Sequence, residues 1–352
     1  MIRRFLVAAA AIALPLASFG VIARRGADRL LAAPRYAPDE DALATALDAL
    51  GGEVIRIRSR DGLRLAARWL PAEPATDTPA GDAWRPDPHE AILLLHGYTG
   101  SVAPDLVEYG PPLRTTAGVL GLDFRGHGGS EDGPTTFGYL EVEDVAGALA
   151  WLGERGITRV ALVGTSMGGM TAIAAVAVLG DGSLAGADAD PDAPRVGKPA
   201  PRPQIVAVIA DSVAPELPLV VANRIRGPWR GFVAARLFAA ARRRIGADLR
   251  ATEPIRVIGL VEPVPLLLIH GDADSTVPIA AGRRLAAAAG PAAQHWIAPG
   301  AEHSRSHHLL PAEWERRIAD FLRSAFAERR AMTAILDPPS LADADGAEPD
   351  PT

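Results

Sequence analysis

The 352-residue sequence contains no cysteine. That absence excludes disulfides, a thiol nucleophile, a zinc–thiolate site and an iron–sulfur cluster, and it leaves the redox compartment open. Excess positive charge is missing as well: 36 Lys plus Arg face 42 Asp plus Glu, a formal net charge of −6. A general nucleic-acid binder needs a basic surface to neutralise phosphates, so that class is set aside. No G-x-G-x-x-G or Walker pattern occurs, and no nucleotide cofactor is implied. Internal repeats are lacking. The 48% hydrophobic content is ordinary for a globular chain of this length, which can bury a core without staples.

Long apolar runs are also scarce. The exception is Phe5–Ala23, uncharged and bounded by Arg3–Arg4 and Arg24–Arg25. As a helix it would span roughly 28 Å, close to the hydrocarbon thickness of a bilayer. Its length points to a retained membrane anchor. The alternative is a cleaved signal peptide with Val21-Ile22-Ala23 as the cleavage site, which would leave a secreted or periplasmic protein. Arginines flank both ends, so charge does not set the orientation. Residues 1–35 therefore read as anchor and linker, 36–330 as the folded domain, and 331–352 as a disordered acidic tail. That tail carries five acids and no base from Asp337 onward. Pro71–Pro88 and Asp181–Pro203, rich in Pro, Gly and Asp, read as surface insertions.

Between these segments the hydrophobic pattern changes period. Glu53–Arg58 alternates, Arg60-Asp61-Gly62 is a turn, and Leu63–Leu70 follows, which predicts an antiparallel hairpin. Continuous apolar runs come next at Ala91–Leu95, Gly118–Leu122, Val160–Val163, Ile205–Ala210 and Val264–Ile269. Such runs suit strands covered on both faces, as in a parallel sheet. Helical patterns lie at Leu140–Leu152, Met170–Leu179 and Pro311–Arg330. The last carries Trp314, Ile318, Phe321, Leu322 and Phe326 on one face. Hairpin, then strand–helix units, predicts an α/β fold with a mostly parallel sheet.

Four loops after predicted strands carry chemistry. Gly164-Thr165-Ser166-Met167-Gly168 joins the strand ending at Val163 to the helix opening at Met170, the context a nucleophile elbow requires. There a serine stands on a strained turn with Oγ exposed, and side chains at Gly164 or Gly168 would collide where strand and helix pass. The competing reading is a Gly-rich turn of no catalytic meaning. His96-Gly97-Tyr98-Thr99-Gly100 follows the strand Ala91–Leu95. Its turn can offer the Tyr98 N–H, and the elbow offers that of Met167, as the paired donors of an oxyanion hole. Alone, this segment reads better as a tight turn with a buried histidine. His270-Gly271-Asp272-Ala273-Asp274 sets two carboxylates past a buried strand, either able to orient an imidazole. Pro299-Gly300-Ala301-Glu302-His303 puts a histidine in a loop after the short strand Gln294–Ala298.

The chain order Ser, Asp, His is that of the α/β-hydrolase triad, and the sequence resembles that superfamily from about Glu53 to Arg330. Asp123-Phe124-Arg125-Gly126-His127-Gly128-Gly129-Ser130 looks like the family's D-x-R-G-H-G-x-S segment, in which Arg125 and His127 would be structural. The Gly138–Trp151 segment, with Glu141 and Asp144, resembles bacterial membrane-anchored members of the Bem46-like, prolyl-oligopeptidase-related group. The resemblance implies an α/β-hydrolase fold: an eight-stranded-type sheet, mostly parallel, with an antiparallel hairpin first, helices on both faces and a small helical cap at about 212–255. It implies Ser166 as nucleophile, His303 as base and Asp274, not Asp272, as the acid. Ser166 in place of an elbow aspartate argues against dehalogenases and epoxide hydrolases. The expected activity is hydrolysis of carboxylic esters or related acyl substrates. A serine peptidase or acyltransferase on the same triad is the alternative, and a non-catalytic binding protein on this scaffold is a third.

Asn223–Arg250 holds eight arginines and one acid, Asp248, with Trp229, Phe232, Leu237 and Phe238. It lies where a cap is expected. Its basic face reads either as a surface for anionic lipid or as a solvated helix face. His303, His307 and His308 cluster, but no carboxylate-rich spacing accompanies them, and no metal is expected. No cofactor is implied, and the expected partner is a small acyl molecule.

Overall fold

A computed structural model of the chain describes residues 21, 23–32, 40–73, 84–98, 100–180, 202–225 and 227–336. The strands are β1 (Glu53–Arg58), β2 (Arg64–Leu70), β3 (Glu90–Leu95), β4 (Gly118–Leu122), β5 (Arg159–Thr165), β6 (Gln204–Asp211), β7 (Leu266–Gly271) and β8 (Gln294–Ala298). They form one eight-stranded sheet in the order β1-β2-β4-β3-β5-β6-β7-β8. β1 and β2 form the expected hairpin, β2 runs antiparallel to β4, and every other pairing is parallel. β1 alternates because one face is solvated, with Ile55 and Ile57 turned inward. β3, β4 and β7 are buried on both faces and are correspondingly apolar apart from Glu90 at the start of β3 and His270 near the end of β7.

Helices α1 (23–31) and α2 (Glu40–Leu50) precede the sheet. α3 (Val102–Arg114) follows β3, α4 (Glu141–Glu154) follows β4, and α5 (Met167–Leu179) follows β5. Between β6 and β7 lie α6 (Leu217–Arg224), α7 (Arg230–Ile245) and α8 (Pro254–Val257). α9 (Ile279–Ala289) follows β7, and α10 (Ser306–Leu309) and α11 (Pro311–Leu336) come last. Two cores sandwich the sheet. One joins Leu93 and Leu95 to α4, α5 and the inner side of α7. The other joins Ile92 and Leu94 to Leu106 of α3 and to Trp314, Ile318 and Phe326 of α11. Alternate residues of β3 enter opposite cores because successive side chains leave a strand on opposite faces.

Several features depart from the sequence reading, which places no helix at α2 or α9. α3 is absent from it because Pro111 and Pro112 lie inside the helix, where proline removes donors and crowds the preceding turn. Burial of Leu106, Tyr109 and Leu113 in the second core outweighs that penalty. α11 continues six residues past Arg330 to Leu336. The expected anchor Phe5–Ala23 falls almost wholly outside the described residues, among which no helix is long and apolar enough to cross a membrane. The described part of the expected linker, 23–32, is packed onto the body. Ala23, Ala27 and Leu31, four residues apart, are buried. Gly26 lies so close to α7 that a Cβ there would strike the Leu237 side chain. Residues 74–83, 181–201 and everything past 336, expected as loops and tail, lie outside the described residues.

Candidate active site

The parallel strands finish in register. Leu95 of β3 pairs with Gly164, Thr165 of β5 with Asp211, Asp211 of β6 with Ile269, and Gly271 of β7 with Ala298. All five carboxyl ends therefore meet at one edge, and the loops leaving them share one rim.

β5 passes into α5 through Ser166, which adopts φ 50 and ψ −110 and donates its N–H to Asp211 O at 2.8 Å. A non-glycine residue in this region is strained, and the surrounding close packing holds it there. A Cβ on Gly164 would run into the backbone of Gly168, and one on Gly168 into the carbonyl of Leu95. The two glycines thus let strand and helix approach closely. Gly97 differs: a Cβ there would only touch the Ser166 Cβ at 3.7 Å.

The structure brings Ser166, His303 and Asp274 together. His303 Nε2 lies 3.0 Å from Ser166 Oγ, and His303 Nδ1 lies 2.8 Å from Asp274 Oδ2. Asp274 is buried, and its Oδ1 accepts the N–H groups of Thr276 at 2.8 Å and Val277 at 2.7 Å. That leaves Oδ2 aimed at the ring. An ionised carboxylate only accepts, so it selects the Nδ1–H tautomer and leaves the Nε2 lone pair facing the serine hydroxyl. Asp272 is exposed and instead accepts Gly300 N–H at 2.6 Å. Of the two carboxylates left open by the residue pattern, Asp274 alone reaches His303.

Tyr98 and Met167 line the same small cavity as Ser166 and His303. The turn bearing Tyr98 is tied down by His96, whose buried Nε2 accepts the Phe124 N–H at 3.1 Å while Nδ1 contacts Gly97 O at 2.7 Å. The first bond requires a lone pair, so Nδ1 carries the proton. Burial lowers the His96 pKa to about 3, with the neighbouring His127 adding to the effect, so the ring stays neutral near neutrality.

The loop after β4 is pinned by Arg125. Its guanidinium meets Asp144 at 2.7 Å and Asp61 at 2.8 Å. Burial works against this charge, but the two carboxylates more than offset it and hold the Arg125 pKa above its ordinary value. Glu141 accepts Thr136 N–H at 2.7 Å and Gly138 N–H at 2.9 Å, which fixes the turn that presents Phe137 to the cavity. His303 faces Ser166 and Asp274, whereas His307, in α10, contacts Glu108 at 2.9 Å and Glu315 at 3.3 Å. Among the described residues no group of three His, Asp or Glu could hold a metal ion.

Several site residues are absent from the sequence reading. Asp211 ends β6 and gathers hydroxyls from Ser212, at 2.8 Å, and from Ser306. Ser212 Oγ accepts the Ser304 N–H at 2.9 Å. At two points, Ser306 directly and Ser304 through Ser212, the stretch just after His303 is thus fastened to one buried carboxylate. Burial raises its pKa, while the two hydroxyls hold it down. Its position just past a buried apolar strand is the signal that marks Asp272 and Asp274, and it could have been found that way. Leu30 could not: it reaches the cavity from α1, whose carbonyl at Leu30 accepts the Tyr98 hydroxyl at 2.9 Å.

A doubly covered parallel sheet with Ser, His and Asp joined at its carboxyl edge defines a class of α/β enzymes in which the site is built from loops after the strands. The chain belongs to the alpha/beta hydrolase family, which matches residues 92–321. Hydrolysis is the class of chemistry this membership supports. The uncharacterized protein YfhR of Escherichia coli O157:H7 is 26% identical over 273 residues, 76% of this chain and 78% of that protein. An esterase of Pyrococcus furiosus superposes with a TM-score of 0.55 at 20% identity, covering 83% of this chain and 98% of its own. A bacterial membrane phospholipase A superposes with a TM-score of 0.52 at 18% identity, covering 92% and 99%. At these identities the structural likenesses concern the fold.

Proposed function

We propose that this protein is a serine hydrolase that cleaves carboxylic esters or related acyl compounds through an acyl-enzyme. The observation that carries the reading is the linear contact from Asp274 through His303 to Ser166, with Ser166 on a strained elbow. In the proposed reaction His303 Nε2 takes the proton of Ser166 Oγ as that oxygen attacks the carbonyl carbon. The imidazolium, braced by Asp274, then protonates the leaving alkoxide. Water, deprotonated by the same nitrogen, attacks the acyl-enzyme, and Nε2 returns that proton to Ser166 Oγ as the acid leaves. The N–H groups of Tyr98 and Met167 would carry the oxyanion, each worth about 3 kcal/mol to the transition state.

The cavity beside Ser166 bears on substrate size. It measures about 50 Å³ and is walled by Leu30, Phe137, Met170, Val220 and Phe238. Apolar walls suit an alkyl chain, and this volume suits a short one. On p-nitrophenyl esters kcat/KM is expected to be highest for acetate or butyrate and to fall steeply by palmitate, with aminoacyl p-nitroanilides near background. Faster turnover of nitroanilides would move the assignment to a peptidase.

We also propose that the chain falls in the membrane-anchored Bem46-like subgroup. Support comes from the Gly138–Trp151 segment, where Glu141 and Asp144 are buried and hold turns beside the site, and from the apolar run Phe5–Ala23. The purified protein should sediment with membranes and retain Met1. A mature N-terminus near Arg24 would assign Phe5–Ala23 to a signal peptide.

A further inference from the structure

The cap helix α7 has two unlike faces. Ala234, Phe238 and Ala241 point inward, and Phe238 reaches the cavity beside Ser166. Directly opposite, at helical spacing, lie Trp229, Phe232, Arg236 and Arg243. Trp229 is 73% exposed and Phe232 57%, and they mark one end of a stripe that turns basic at the other. α1 lies alongside, and its Arg24 lines a shallow concavity together with Arg243 and Arg244. Among the described residues two acids form ion pairs with arginines of this surface. Asp28 stands 3.5 Å from Arg244, and Asp248 stands 4.0 Å from Arg242. Among the described residues Arg24, Arg236 and Arg243 have no ion-pair partner. The chain as a whole is negative, at −6, so this concentration of cations is local and not a reflection of composition.

We propose that the outer face of α7, with the Arg24 end of α1 beside it, docks on an anionic lipid surface. Exposed Trp and Phe beside a row of arginines suit the headgroup boundary, where rings enter the acyl edge and guanidiniums bind phosphates. Neither half alone needs a membrane. A solvated basic helix has no use for an exposed Trp229 at its start, and a ring of that size suits a lipid boundary better than the phosphates of a nucleic acid. Docked this way, α7 lies flat, and the cavity under Phe238 is separated from lipid by about 10 Å, one helix diameter.

The chain lacks cysteine, so a single reporter can be placed in the full protein. The variant Ala239→Cys, on the same stripe, is labelled with an environment-sensitive fluorophore. A control labelled at Ala327→Cys, exposed on α11 across the sheet, uses the same dye. Both are mixed with neutral phosphatidylcholine vesicles and with vesicles containing anionic phosphatidylglycerol. This readout follows the α7 face itself and works whether or not the N-terminal segment also enters the vesicle. The expected result is a blue shift and quenching by lipid-borne spin label at 239 only, with anionic vesicles only, reversed by high salt. Each neutralised arginine should weaken docking about fivefold, so Arg236→Gln with Arg243→Gln lowers the vesicle partition constant by about 25-fold at unchanged Tm. Equal response to neutral and anionic vesicles, indifference to the two arginines, or an equal response to duplex DNA without lipid would overturn the proposal.

Discussion

The variant Ser166→Ala is expected to lose fluorophosphonate labelling and to lower kcat on p-nitrophenyl esters by about 10⁵- to 10⁶-fold, the scale on which removing a triad nucleophile acts. The prediction is sharp because the substitution changes little else. Oγ contacts His303 Nε2, whereas the strained backbone is held through Ser166 N and Asp211 O, which an alanine keeps. The Gly164 and Gly168 approach is untouched, so thermal stability should move little. A residual acceleration of about 10³-fold over water is expected to survive, since oxyanion donors and binding do not depend on the hydroxyl. Labelling that persists in Ser166→Ala would mean that the nucleophile lies elsewhere.

The second large effect separates two aspartates two residues apart. Asp274→Asn should lower kcat about 10⁴-fold with the fold intact. The amide oxygen can still accept the Thr276 and Val277 N–H groups, which then turns the amide nitrogen toward His303. A donor in that place forces the proton onto Nε2, where the ring can no longer accept from Ser166. Asp272→Asn keeps an acceptor for the Gly300 N–H on an exposed loop and should change kcat by no more than a few-fold. Parallel kcat measurements on the two variants decide the matter, and equal losses would sink the assignment of the acid.

Much of the site can be read from the sequence because its members carry local signatures. Gly164, Ser166 and Gly168 declare a tight strand-to-helix turn: a side chain at Gly164 would meet the Gly168 backbone four residues on, whereas the Leu95 carbonyl that crowds Gly168 belongs to the neighbouring strand. Asp274 and His303 each follow a short strand, buried in β7 and half-buried in β8, which marks the edge where they lie. Choosing between Asp272 and Asp274 is another matter. Both leave the same strand, and only the path of the loop turns one into the interior and the other to solvent. Asp211 carries a comparable signature, but no spacing foretells that the hydroxyls of Ser212 and Ser306 will gather on it and that Ser212 will in turn hold the Ser304 N–H.

The fold divides in the same way. Periodicity alone determines the hairpin and the buried parallel strands, because alternation and continuous apolar runs are direct consequences of one or two faces being covered. Hydropathy also determines that the first residues differ in kind from the rest. Local pattern does not reach α3, whose two prolines speak against a helix until Leu106, Tyr109 and Leu113 have a core to enter. Nor does it reach the pocket, whose walls come from α1, the loop before α4, α5, α6 and α7, elements separated by up to some two hundred residues and joined only by packing. A turn's chemistry is written in adjacent residues, whereas the volume between side chains exists only after distant segments have closed around it, and that is why tertiary structure alone decided the shape of the cavity.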